Sequence, residues 1–147
     1  MQLRNVHVHP GRDGAEERAG RAITWSSKKQ PIIALSMTEA EYIAAAHATK
    51  EAMWLRTFVG ELMMPLSTLT TIFCDNQVAI ALSKGSQYHA RTKHIDIRFH
   101  FIREAVENSL ITLVYCPTKT MTADLLTKPL NCSKMEEHTY VLGLLPV

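Results

Sequence analysis

The 147-residue chain is most informative first through what it lacks. Its three cysteines, Cys74, Cys116 and Cys132, are an odd number without paired spacing. No disulfide framework is expected from such a set, and a reducing, intracellular setting, cytoplasmic or nuclear, suits it best. No run approaches the roughly 18 uninterrupted apolar residues of a membrane span, so no membrane partner is expected. Residues 1–20 hold no apolar core of a secretory signal, so secretion is not expected either. Neither charge dominates: 16 basic side chains face 14 acidic ones. HExxH, CxxC, the Walker lysine loop and GxGxxG are all missing, which leaves no small-molecule cofactor in prospect. His89, His94, His100 and Cys116 lack zinc-finger spacing, and Ser26-Ser27 has no plausible catalytic triad order.

What remains is the composition of one globular domain, 46% hydrophobic and 20% charged. Residues 1–21 carry no aromatic residue and little periodicity, and they read as a separate, poorly ordered segment apart from a scrap of strand over 6–9. The pattern firms from Ala22, so 22–147 reads as the folded unit. A short strand is expected over 22–25 and a connector over 31–35. A long helix over 36–63 follows, because Glu41, Ala45, Ala48, Ala52, Leu55, Val59 and Leu62 recur at alternating steps of four and three along one face. On that helix Glu39 projects about 160° away from Glu41, so Glu39 is expected in water and Glu41 at the edge of the core. Next come a strand over 70–74, a helix over 77–84 closed by Gly85, a helix over 94–108, a strand over 110–116, a short helix over 120–127 and a helix over 133–142 ended by Gly143. Strands alternating with helices indicate an α/β layered domain. Trp25, Trp54 and Phe58 are expected in its core, and Cys74 and Cys116 as packed thiols.

Three carboxylates stand out. Each has a structural explanation: Glu41 in a Thr38-x-x-Glu41 capping box, Asp75 as an N-cap acid after a strand, and Asp124 in the first turn of a helix. Taken together they suggest chemistry. Asp75 sits at the carboxyl end of a strand, and the other two lie on helical turns that can face the same edge. Carboxylates gathered there need a divalent cation, Mg²⁺ or Mn²⁺, and two such ions suit phosphodiester hydrolysis. Between positions 84 and 103, Lys84, Arg91, Lys93, Arg98 and Arg103 face one acid, Asp96, with His94 among them. A cationic band of this kind is the footprint of a nucleic-acid backbone, with Lys84, Arg91, Lys93, His94 and Arg98 as the candidate contacts.

Four blocks in order carry a resemblance: ITWSSKKQPIIALSMTEAEY (23–42), CDNQVAIAL (74–82), RTKHIDIRFHFIRE (91–104) and ADLLTKPL (123–130). From 22 to 129 the chain resembles the ribonuclease H domain that ends Ty1/copia-type retrotransposon Pol polyproteins. Met37 replaces a serine of the family pattern. The resemblance implies a five-stranded mixed sheet flanked by helices and Mg²⁺-dependent, two-metal hydrolysis of RNA in RNA–DNA hybrids. It also implies the reverse transcriptase portion of the parent polyprotein as a partner. The family holds its metals with acids in the order Asp, Glu, Asp, Asp, and the last three fall on Glu41, Asp75 and Asp124. An integrase core would need a different order of acids.

The first family acid lies in a segment like YSDADWAG, which residues 1–21 do not resemble. Asp13, between Arg12 and Gly14, is not a counterpart. The resemblance thus describes an N-terminally truncated copy, lacking one or two N-terminal strands. It is expected to show an open sheet edge, an exposed apolar helix face and weak or absent hydrolysis. A non-catalytic nucleic-acid-binding or interaction module is the alternative.

Overall fold

The computed structural model describes residues 8–9, 22–30, 33–62, 67–85 and 96–144, with side chains at all of these except 8–9 and 96–99. In chain order the elements are β1 (Val8–His9), α1 (Met37–Leu62), β2 (Thr70–Cys74), α2 (Gln77–Lys84), α3 (Asp96–Glu107), β3 (Ile111–Tyr115) and α4 (Cys132–Val141). Two 3-10 turns, Thr118–Thr120 and Thr122–Leu126, lie between β3 and α4. The fold is mixed α/β, as expected, and compatible with a ribonuclease H-like sheet. None of the described helices is long and apolar enough to cross a membrane.

The sheet has the order β1-β2-β3. β2 and β3 run parallel, from Thr70 opposite Ile111 to Cys74 opposite Tyr115. A parallel pair requires a long crossover, and α2 and α3 supply it while packing on β3. Strand alternation puts Thr70, Ile72, Cys74, Ile111 and Leu113 on the buried face. Against them lies one side of α1, with Tyr42, Ala45, Ala46, Ala48 and Ala52 in the same core as Ile80 and Ile102. Two buried hydroxyls are satisfied within their own helices: Thr49 Oγ1 donates to the Ala45 carbonyl at 2.8 Å and Ser83 Oγ to the Ile80 carbonyl at 2.7 Å.

Helix α1 is buried all round over residues 40–46. Its far side, Ile43 and Ala44, packs against Ala34 of the preceding extended segment. A helix covered on every side is largely apolar on every side, Glu41 being the charged residue among these, and the alanines there allow close approach. Beyond Ala52 the helix emerges. Trp54, 57% exposed, stacks on Phe58 at 5.4 Å, and Leu62 is exposed beyond them.

Several expectations change. The strand over 22–25 does not form, since extended backbone becomes a strand only with a neighbour to pair. Residues 22–28 have no regular structure, and Lys29 makes a single bridge. The segment is instead tied down by separate contacts: the Ala22 N–H to the Leu142 carbonyl (2.9 Å), Thr24 Oγ1 to Glu51 Oε1 (3.4 Å) and Gln30 Nε2 to the Ala40 carbonyl (2.8 Å). Trp25 (65% exposed), Trp54 and Phe58 are not core residues, because no described layer covers the faces that carry them. In place of a helix over 120–127 there is a 3-10 turn over Thr122–Leu126, preceded by another over Thr118–Thr120. β-Branched threonines between Pro117 and Pro129 limit the segment to short, tight turns. Gly85 ends α2 in extended backbone, φ −120°, whereas Gly143 takes the left-handed conformation, φ 67°. β2 is central, with β1 on one flank and β3 on the other, so β1 and β3 are the edges of the described sheet.

Candidate functional site

The local explanations for two of the three acids pass to their neighbours. At the start of α1 the cap is formed by Ser36 and Glu39: the Glu39 N–H donates to Ser36 Oγ at 3.1 Å, and Glu39 Oε2 accepts from the Leu35 N–H at 2.6 Å. Glu39 is accordingly half-buried rather than in water, and the capping box is not Thr38 with Glu41. The side-chain cap of α2 is Asn76, whose Oδ1 accepts from the Ala79 N–H at 3.1 Å, and not Asp75. Asp124 does lie in the first turn of its short 3-10 segment.

Glu41 is buried one turn into α1, as its position in the helical stripe predicts. Asp75 directly follows β2, half-buried, and its Oδ2 accepts from Thr118 Oγ1 at 3.2 Å, across to the segment after β3. Both carboxylates act on the Cys74 thiol. Burial first pushes this thiol up to about 11; a backbone hydrogen bond at Asn76 opposes the rise, and the negative charges of Glu41 and Asp75 add to it. Glu41 and Asp75 thus both lie close enough for their charge to reach the thiol at the end of β2.

Asp124 sits apart in its bonding. Its side chain is 6% exposed, and Oδ2 is 2.6 Å from Lys128 Nζ. Its backbone carbonyl accepts from the N–H groups of Thr127 (3.1 Å) and Lys128 (2.9 Å). Oδ1 is buried without a hydrogen-bond partner. A divalent ion needs several such oxygens converging on one point. Among the described residues no group of three or more His, Cys, Asp or Glu is placed to hold one. The residues as arranged therefore do not fit a metal centre, and the cation beside Asp124 is an ammonium group.

Of the candidate backbone contacts, Lys84 is exposed at the end of α2. Arg98 belongs to α3, but its side chain, together with Arg91, Lys93 and His94, lies outside the described residues. Arg103, counted in the cationic band, is half-buried and structural: its Nη2 donates to the Gly85 carbonyl at 2.8 Å, and its charge reaches the buried Tyr42 hydroxyl. Burial holds that hydroxyl well above its usual range, and Arg103 partly counteracts the rise. Lys128 was not among the sequence candidates, although the four-residue spacing Asp124-x-x-x-Lys128 is visible in ADLLTKPL.

Relatives of this chain are retrovirus-related Pol polyproteins from transposons. It is 46% identical over 126 residues to the one from transposon TNT 1-94 of Nicotiana tabacum, covering 86% of this chain and 9% of the relative. It is 38% identical over 125 residues to that of transposon RE2 and 38% over 122 residues to that of transposon RE1, both of Arabidopsis thaliana. These matches cover 85% and 83% of this chain and 9% and 8% of the respective relatives. The chain thus spans under a tenth of the length of these relatives. No family model matches it, and no solved structure does.

Proposed function

We propose that this chain derives from the ribonuclease H portion of a retrotransposon Pol polyprotein and, by itself, hydrolyses RNA in RNA–DNA hybrids weakly or not at all. Kinship with transposon Pol polyproteins supports the origin. The four sequence blocks support the choice of domain within them. One observation supports weak or absent activity: among the described residues, no group of three or more His, Cys, Asp or Glu, with Glu41, Asp75 and Asp124 among those present, is placed to hold a metal ion. Mg²⁺ or Mn²⁺ is the ancestral cofactor in this reading, and the RNA–DNA hybrid and the reverse transcriptase portion are the ancestral partners, inside the cell. Interactions made mainly in the transition state raise rate, so acids that are present but not assembled contribute little.

The test is cleavage of a labelled RNA–DNA hybrid with Mg²⁺. The expected result is cleavage at or near background. Robust cleavage that disappears in Asp75→Asn would refute the inactive reading.

A second reading, a nucleic-acid-binding module without catalysis, is favoured by the exposed Trp54–Phe58 stack. Aromatic faces in water offer stacking worth about 1–3 kcal/mol per base. Salt-sensitive hybrid binding that weakens about tenfold in Trp54→Ala, without cleavage, supports it. Binding unchanged by that substitution excludes the stack as the platform.

A further inference from the structure

Among the described residues β3 lies at the end of the strand order, with β2 on one flank. The backbone bonds at the two ends of this pair fix which groups β3 turns toward its neighbour. The Thr70 N–H donates to the Leu110 carbonyl at 3.1 Å, and the Cys116 N–H donates to the Cys74 carbonyl at 2.9 Å. In a parallel ladder alternate residues turn both backbone groups to the same side, so Leu110, Thr112, Val114 and Cys116 face β2. The N–H and carbonyl groups of Ile111, Leu113 and Tyr115 then point away from it. Edge strands are commonly guarded by a lysine, a proline or a bulge. β3 has none of these. Its register with β2 runs without interruption from Ile111 to Tyr115, and 108–116 holds neither a charged residue nor a proline. Its residues are β-branched, aliphatic or aromatic, the types that pair well across strands. Val114 and Tyr115 are 40% and 45% exposed, so this end of the strand reaches the surface.

We propose that β3 is a dimerisation edge, on which the β3 of a second copy of this chain pairs antiparallel about a twofold axis through Leu113. The outward groups are spaced symmetrically about that residue, so Leu113 meets its own counterpart and Ile111 meets Tyr115 at either end. The outward residues of the two copies then exchange about six backbone hydrogen bonds. Charge selects this occupant and this direction. Residues 108–118 carry no charged side chain. The run is bounded by Glu107 at the end of α3 and Lys119 in the 3-10 turn after β3, both exposed and equally far along the chain from Leu113. An antiparallel copy brings the acidic end of one run to the basic end of the other, twice over. A parallel copy sets like charges together. Because one patch serves both partners, the pairing closes at two copies and joins their sheets into one.

The experiment is sedimentation velocity of the full chain over a concentration series, paired with amide hydrogen exchange at the two ends of that series. The expected result is a monomer–dimer equilibrium. Where the dimer dominates, the Ile111, Leu113 and Tyr115 amides should gain protection by about tenfold or more, while the Thr112 and Val114 amides, already bonded to β2, stay unchanged. Val114→Lys, at an exposed position, puts a charge inside the run and should raise the dimer dissociation constant by about tenfold or more. Glu107→Lys should raise it by about threefold, and Lys119→Glu in the same chain should reverse that loss. A chain that stays monomeric up to millimolar concentration overturns the proposal. So does a dimer that Val114→Lys leaves intact, or one whose new protection falls outside β3. Should Val114→Lys not fold, the exchange pattern of the wild type decides alone. Catalysis plays no part in this pairing, so hybrid cleavage bears on the inactive reading alone.

Discussion

Cys74 shows how one position joins packing to the site. It is buried at the end of β2, and its thiol is pushed from 9.0 up to about 11 by burial, with Glu41 and Asp75 adding to the rise. Below pH 9 the folded and unfolded chains both keep this proton, and the residue contributes no pH dependence. Between pH 9 and 11 the unfolded chain releases it while the folded chain retains it, so stability falls as pH rises. At about 1.4 kcal/mol per unit, the loss is on the order of 2 kcal/mol over that interval. Urea unfolding of the wild type and Cys74→Ala across this range checks it: the wild-type curve should fall more steeply. The burial of Glu41 was legible from the helical stripe, because period and residue type both pointed to the core. The real cap was not, because Ser36 and Glu39 fit the same spacing rule as Thr38 and Glu41. Only the position of Leu35 decides between them.

Among elements, those bounded by strong local signals were read closely. β2 and α2 begin and end where Asp75, Asn76 and Gly85 mark them, at Thr70–Cys74 and Gln77–Lys84. The segment over 22–25 was misread because alternation alone promises a strand only when a partner lies alongside. The outward aromatic residues of α1 were misread for a related reason: hydrophobicity marks a face as buried without saying whether its cover is present. The end of α3 carries a testable strain. Ser109 has φ 55°, and its N–H donates to the Val106 carbonyl at 3.0 Å in the turn leading to β3. A left-handed non-glycine residue costs roughly 1–2 kcal/mol. The extra backbone freedom that glycine loses on folding costs roughly 0.5–1 kcal/mol. The first effect wins, so Ser109→Gly is expected to stabilise the fold by roughly 0.5–1 kcal/mol, seen as a higher urea midpoint with an unchanged slope.

At the scale of the molecule, Ala22 is hydrogen-bonded to Leu142, and α4 packs on the 3-10 turn that holds Asp124. The three-stranded sheet is unequal on its two sides. Among the described residues, β3 pairs with β2 along five residues and β1 along two. Detachment of β1 therefore requires breaking few rungs and leaves the core of β2, β3 and α1 intact. In native-state hydrogen exchange, the β2 amides that face β1 should lose protection in a shallow opening, while the β3 amides bonded to β2 exchange only with global unfolding. Equal protection on both sides would show that the two rungs are as durable as the five. Among the described residues this seam is two rungs long, so a synthetic extended peptide that matches more of β2 is expected to compete with Val8 and His9 for its flank, read as loss of protection at the β2 amides that face β1.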